Sequence, residues 1–431
     1  MSSLFGALTV AVGGLTAQSD ALGNISDNLS NSQTTGFKSI GTNFESLVTS
    51  STLTDNEPGG VRATPAYQND VQGNLVQSSI GTYLAISGQG FFPVETATQN
   101  ADGTTSLSSN TLYTREGDFT LNNKGFLVNS SGYYLTGYSV AANGTVDKTA
   151  TNPIQIQSLI NSPVATTEAT YVANLPASAA TAFTSSASTI NIFDGQGNTH
   201  PMTFTWVKTG TNTWNLQVGV TNGASGSNYA ATIPFTFNGT TDVGTIESIT
   251  GGTGYTVPSG TAADVTLDLN FSGAGGAQDV TLNFGDYNTA TGLTQFAGTD
   301  VSVSSFSQDG LPQGSFSSLS IDSGGNVAIN YSNGSTRIVD QIPIATFNAP
   351  NALQRITGNA YQQTLASGTA TLSAAGTDGA GSIATGSLES SNVDIATQFT
   401  AMIEAQQIYS ANAKTITTVD NMLNTIINTI Q

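Results

Sequence analysis

The chain contains no cysteine. That excludes disulfides, thiolate nucleophiles and cysteine-ligated metals. Basic residues are scarce, with nine Lys and Arg against 28 Asp and Glu and a formal net charge of −19. So few cations cannot build the basic stripe that nucleic acid requires, nor a polybasic patch for anionic lipid. Charged residues of both signs make up only 9% of the chain, against roughly 25% in ordinary soluble proteins. Ser, Thr, Asn, Gln and Gly supply the polarity instead. No stretch reaches the ~18 apolar residues of a membrane-spanning helix, so no membrane insertion is expected. The first residues lack a basic n-region, and the weakly apolar stretch 4–15 runs into polar sequence without a small-residue cleavage site. If the chain leaves the cell, the expected route keeps its N-terminus intact.

What is present begins at the two ends, which share one pattern. Near the C-terminus, apolar residues fall at Ile395, Phe399, Met402, Tyr409, Ala413, Ile416, Leu423, Ile427 and Ile430, interrupted by Gln406 and Asp420. Near the N-terminus the same spacing selects Leu4, Leu8, Ala11, Leu15, Leu22, Ile25 and Leu29, with Gln18 as the exception. A 3.5-residue repeat marks a helix that buries one narrow stripe against another. The chain is therefore expected to return on itself, with helices at its termini and everything else inserted between them. Such a stripe can close one domain or join subunits. Its flanks carry Gln398, Gln407, Asn412, Thr417, Asn421, Asn424, Thr425 and Asn428 rather than the Glu and Lys of a free coiled coil. Uncharged polar flanks suit a helix with neighbours on several sides, which favours assembly.

The interior is mainly β. Residues 37–65 read as irregular, broken at Pro58-Gly59-Gly60. From Ala66 to about Val140 the pattern changes to period two, with a hairpin loop at Asn122-Asn123-Lys124-Gly125. The strand–turn pattern of 117–132 returns at 320–334, which implies one β domain assembled from two distant halves. Between the halves lies a second β-rich block whose clearest hairpin joins Met202, Phe204 and Trp206 to Trp214, Leu216 and Val218. Frequent short strands and turns predict a sandwich or barrel there. Residues 366–388, almost devoid of large side chains, read as a linker. Ser391-Asn392-Val393-Asp394 reads as a helix start. The expected organisation is a helical coiled-coil domain from 1–30 and 390–431, connecting segments at 31–65 and 371–389, a split β domain from 66–145 and 306–370, and an inserted β domain at 146–305.

Residues that carry chemistry are few. The single histidine, His200, sits beside Pro201 in an expected turn and has no neighbouring cysteine or carboxylate in a catalytic pattern. Asp194-Gly195-Gln196-Gly197-Asn198 resembles half a Ca²⁺ loop but lacks the remaining ligands, so a β-turn is the better reading. Gly251-Gly252-Thr253-Gly254 is not followed by Lys-Ser/Thr and is no phosphate loop. No catalytic, cofactor-binding or metal residue is assigned, and the chain is not expected to be an enzyme.

Several motifs then stand together. Asn28-Leu29-Ser30-Asn31, Thr34-Thr35-Gly36-Phe37-Lys38, Leu84-Ala85-Ile86-Ser87-Gly88-Gln89-Gly90-Phe91-Phe92, Tyr113-Thr114-Arg115-Glu116-Gly117-Asp118-Phe119, Leu388-Glu389-Ser390-Ser391-Asn392-Val393-Asp394 and Tyr409-Ser410-Ala411-Asn412-Ala413-Lys414 resemble the signatures of the bacterial flagellar rod and hook axial proteins. Asn31, Thr35, Gly36, Phe37, Lys38, Asn392, Asp394 and Asn412 are the signature positions. The large middle insertion resembles the hook members of that family. The resemblance implies export through the flagellar type III apparatus and polymerisation under a cap into an extracellular helical tube. It further implies a universal joint that carries torque to the filament. Terminal helices would line the tube, the split β domain would form a middle shell and the insertion would face outward. The implied neighbours are copies of the chain itself, the distal rod protein, the hook cap and the hook–filament junction proteins; no cofactor is implied. Two alternatives stay open: a distal rod-type axial protein, and an extracellular β-rich adhesin using Trp206, Trp214 and Tyr229 to bind glycans.

Overall fold

The computed structural model describes residues 2–51, 56–99, 105–141, 143–156, 160–221, 228–271 and 276–430. Helix α1 spans Ser2–Ser30 and helix α2 spans Ile395–Ile430. Asp394 caps α2: its Oδ1 accepts the amides of Ala396 at 2.9 Å and Thr397 at 3.2 Å, two donors a helix start otherwise leaves unpaired. The rest is mainly β, in two compact units.

The first unit comprises Met1–Gln157, Leu319–Ile329 and Arg337–Gln431. Its sheet draws strands from both chain halves. Strand Phe92–Gln99 pairs with Thr105–Thr114 on one side and Tyr133–Ser139 on the other. Ala360 and Tyr361 then add to Thr114 and Tyr113, and Asp340 and Gln341 add to Ser139 and Tyr138. The recurring turn noted in the sequence is a shared hairpin device. At 122–126 and at 322–326 the amide of the fourth residue donates to the carbonyl of the first, and the fourth residue is a glycine at φ 82° or 83°. A three-residue loop of this kind needs that left-handed position.

Two segments differ from expectation. Residues 37–65 are not irregular: β1 (Ile40–Ser51) and β2 (Asn56–Tyr67) form a long antiparallel hairpin from Ile40–Tyr67 to Ser51–Asn56. Pro58-Gly59-Gly60, read as a breaker, is absorbed where the register shifts, since Leu47 opposes Gly60 and Val48 opposes Pro58. Gly59 is the extra residue of a bulge, and a Cβ there would lie 3.0 Å from the Leu47 carbonyl. Residues 371–389 are not a linker either. Strands Thr371–Ala374, Ser382–Thr385 and Ser387–Glu389 pair with Pro343–Thr346, Leu84–Ser87 and Leu75–Gln77. The small side chains reflect close backbone approach: a Cβ on Gly381 would meet the Ser87 carbonyl at 2.6 Å.

The second unit comprises Ser158–Ser318 and Asn330–Thr336, so it starts later and ends later than the block 146–305. The start shifts because Asn152 and Pro153 pair with Gly137 and Thr136 of the first unit. The end shifts because Ser302–Gln308 pairs with Glu168–Asn174 of the second. Among the described residues this unit holds two five-stranded sheets around one apolar core. The expected hairpin is present, with Phe204 opposite Val218 and Trp206 opposite Leu216. Trp206 and Trp214 are fully buried, and Trp206, Phe235 and Phe284 stack edge to face at 5.0–5.1 Å. Tyr229 is half-buried and donates to the Gly254 carbonyl. These aromatics are core, not a glycan platform.

Candidate assembly surface on the terminal helices

Helices α1 and α2 run antiparallel. Asn28 Nδ2 donates to Gln398 Oε1 at 3.1 Å. About four turns toward the N-terminus of α1, Gly14 lies against Asn412, where a Cβ would come within 2.7 Å of Nδ2. The buried stripe of α1 is Ala11, Gly14, Ala17, Ala21, Ile25 and Asn28. It is not the expected leucine seam: Leu8, Leu15, Leu22 and Leu29 are only half-buried. Small residues win because helix spacing depends on the side chains at the contact, and α1 has two neighbours to fit. Beside α2 it also packs on the hairpin, through Asn24 Nδ2 on Thr42 Oγ1 at 2.8 Å and Gly13 against Val61.

The α2 residues expected in the seam divide. Met402, Ala413, Ile416 and Leu423 are half-buried. Ile395, Phe399, Tyr409 and Ile427 instead face solvent, Phe399 at 48% and Ile427 at 55%. The side chains of Leu4 and Ile430 lie outside the described residues. Sequence reasoning missed further exposed apolar groups: Ile403 at 56% and Met422 on α2, Phe5 and Val12 on α1, and Phe44, Leu47 and Val48 on β1. Ile403 lies four residues past Phe399, so helical spacing of 3.6 was the signal that the 3.5 template hid. Only Glu404, Lys414 and Asp420 carry charge along α2. The surface is apolar and amide-rich, the character of a candidate association surface.

The signature residues do different work. They couple the helices to the β structure. Glu389 is fully buried and accepts Lys38 Nζ at 2.5 Å, Arg115 Nη1 at 2.9 Å and the Gly73 amide at 2.8 Å. Lys38 also donates to the Val71 carbonyl, and Arg115 to that of Gly88. Burial holds the Lys38 ammonium below the usual lysine range, with the Glu389 charge opposing that shift. Gly36, at φ 68°, passes so close to Arg115 that a Cβ would sit 2.7 Å from its backbone. Phe37 is buried beneath the Arg355 guanidinium, 4.2 Å from its ring centre, and the Thr35 carbonyl accepts Asn359. Asn31 bonds back to Asp27 in the last turn of α1. Asn392 accepts the Ser39 amide at 2.7 Å and donates to the Val71 carbonyl. Arg115 and Glu389 were missed as a pair, although three buried charges inside motifs of a 9%-charged chain were the available signal.

His200 is buried in strand Thr199–Gly210, not in a turn. Its Nε2 lies 3.2 Å from Asp194 Oδ2 and its Nδ1 3.1 Å from the Thr221 carbonyl, with the ring stacked on Phe271. Asp194 also accepts the amides of Gln196 and Asn198, so its loop is a β-turn. Sealed in this way, the imidazole is a core side chain. Among the described residues no cluster of three or more His, Asp or Glu is arranged to hold a metal ion.

Comparison with known proteins gives the chain's family. Four family models match: "Flagella basal body rod protein" at 8–38, "Flagellar hook protein FlgE/F/G D1 domain" at 85–170, "Flagellar basal body protein FlaE D2 domain" at 160–311 and "Flagellar basal body rod FlgEFG protein C-terminal" at 384–429. The flagellar hook protein FlgE of Rhizobium meliloti is 33% identical over 440 residues, covering 99% of each chain. That of Brucella suis is 32% identical over 431 residues, again 99% of each, and that of Escherichia coli 30% over 439 residues, 98% of this chain and 99% of the other. The chain belongs to the flagellar hook protein FlgE family. A crystal structure of Helicobacter pylori FlgE2 matches at 16% identity and a TM-score of 0.48, over 72% of this chain and 98% of that one. As a FlgE-family chain it is a structural subunit of the flagellar hook and a part of the motility apparatus. Its family is structural rather than enzymatic. No described helix is long and apolar enough to cross a membrane.

Proposed function

We propose that this hook subunit polymerises with copies of itself, outside the cell, into a curved helical tube that acts as a universal joint. The observation that carries this reading is the exposed apolar row on α2, Ile395, Phe399, Ile403, Tyr409 and Ile427, on a helix whose other face already packs on α1. Burying such a side chain is worth about 1.5–3 kcal/mol when complete. Roughly half of that is still to be gained at each of these sites, and a neighbouring copy supplies it. The terminal helices, 1–30 and 390–431, form the inner wall. The split β domain of the first unit forms a shell around that wall. The distal rod protein, hook cap and hook–filament junction proteins are its neighbours. The subunit passes through the flagellar type III export apparatus. It has no catalytic centre.

Electron microscopy of appendages sheared from the source cells tests the reading. Short, curved, regular tubes built from this chain are expected. Soluble monomers that bind sugar saturably and never form tubes would overturn it.

A further inference from the structure

Leu365 is the most exposed large apolar residue described, at 105% of its reference area. Its surroundings are nonetheless firmly built. Thr364 N–H donates to Ser367 Oγ at 2.9 Å, and Ser367 N–H returns a bond to Thr364 Oγ1 at 3.1 Å. Thr364 Oγ1 donates to the Ala352 carbonyl at 2.8 Å, and Ser367 is fully buried. A turn closed on both sides by hydroxyls presents one leucine entirely to solvent. An unplaced surface residue would not need that scaffold.

We propose that Leu365 is a knob that seats in a second copy of this chain. The inference rests on the self-assembly reading and names one contact within it. Three observations select a copy of the chain as the occupant. Ala352 ends the short turn Pro350–Ala352, whose Asn351 accepts the amides of Asn69 and Asp70, just past β2. The leucine's scaffold is thus continuous with the hairpin that exposes Phe44, Leu47 and Val48. Second, no charged residue occurs between Arg355 and Asp378. Two chains of net charge −19 repel, so their contacts belong on uncharged segments such as this one. Third, a socket of suitable chemistry exists on the same unit. A groove of about 270 Å³ lies between the hairpin and the helices, with Ile25, Phe44, Ala405 and Ile408 on its apolar side and Gln18, Gln398 and Glu404 on its polar side. Leu365 of one copy fills that groove on another.

The absence of cysteine makes the test clean. Leu365→Cys gives the full chain a single thiol, which is labelled with benzophenone maleimide in isolated tubes and irradiated. Covalent dimers are expected, with cross-linked peptides joining position 365 to residues 18–44 or 398–408 of another copy. A second variant, Leu365→Ser, should melt like the parent as a monomer but raise the subunit concentration above sedimented tubes about tenfold, as one buried leucine is worth. Tubes that yield only intrachain adducts, or an unchanged subunit concentration, overturn the contact. Inter-copy adducts outside those two segments overturn the socket. A parent chain that forms no tubes contradicts the self-assembly reading itself, a different result from tubes without Leu365 adducts.

Discussion

Glu389 is held by groups from three distant segments: Lys38, Gly73 and Arg115. Removing its charge leaves two buried cations facing each other without a counter-ion. Breaking a buried pair in this way costs about 3–5 kcal/mol. Glu389→Gln is therefore expected to lower the monomer's unfolding free energy, measured by urea denaturation, by that amount; a change within about 0.5 kcal/mol, the range of ordinary surface substitutions, would contradict it. Asp340 gives a pH-dependent counterpart. Burial pushes its carboxyl up to about 7, opposed by a Ser139 hydrogen bond. Between about pH 4, where an unfolded carboxylate ionises, and pH 7, the folded chain keeps a proton that the unfolded chain loses. Stability then falls as pH rises through that window, by at most about 1.4 kcal/mol per unit, and stays low above it. Asp340→Asn should melt above the parent at pH 8 and lose that advantage at pH 4. Parallel melting curves of the two chains at every pH would refute this. None of it was legible from sequence, because burial decides which carboxylates matter and burial is a property of the fold. His200 shows the same gap: a lone histidine beside a proline says nothing of a carboxylate at 3.2 Å.

At the scale of elements, both helices were legible from end to end, because a long periodic pattern survives local errors. Their facing was not. The heptad leucines of α1 mark the edges of the contact, and its centre is Gly14, Ala17 and Ala21, residues that carry little weight in an apolar pattern. The account predicts that enlarging the centre is worse than trimming an edge. Gly14→Leu should destabilise the monomer by about 1–3 kcal/mol through overpacking against Asn412, measured by urea denaturation. A neutral or stabilising outcome would mean that the helices can separate at no cost. The hairpin β1–β2 was hidden for another reason. Its strands gain stability from each other and from α1, and local propensity registers neither. The segment 371–389 was misread because small side chains suit both a loose linker and a tight backbone approach.

For the whole molecule, the split of the β domain was legible because both halves repeat one turn, Asn122 to Phe126 and Asp322 to Asn326, with glycine at the same position. The ends of the insertion were not, since Asn152-Pro153 and Ser302–Gln308 are assigned by their pairing partners rather than by their own composition. A bending tube must shorten one side and lengthen the other, which close-packed interiors resist. Compliance therefore belongs to polar, weakly charged surfaces such as that of the second unit, which carries one Lys and no Arg. Deleting 158–318 and rejoining the flanks should still give tubes, but straight ones. Electron microscopy of their curvature reads the outcome. A folded deletion chain that forms no tubes would make the insertion a primary assembly contact, and unchanged curvature would assign it another role.

The central claim is that the outward apolar row of α2 holds the polymer together while the inward stripe holds the subunit. Sedimentation of Ile403→Asp tests it most directly, with a thermal melt of the monomer as its control. Ile403 is exposed in the single chain, so the variant should melt like the parent. In the polymer the new carboxylate would be buried unpaired, which is costly enough to stop assembly. The account predicts a folded subunit that stays in the supernatant. Ile403→Asp chains that sediment as tubes in the parent's proportion would contradict it.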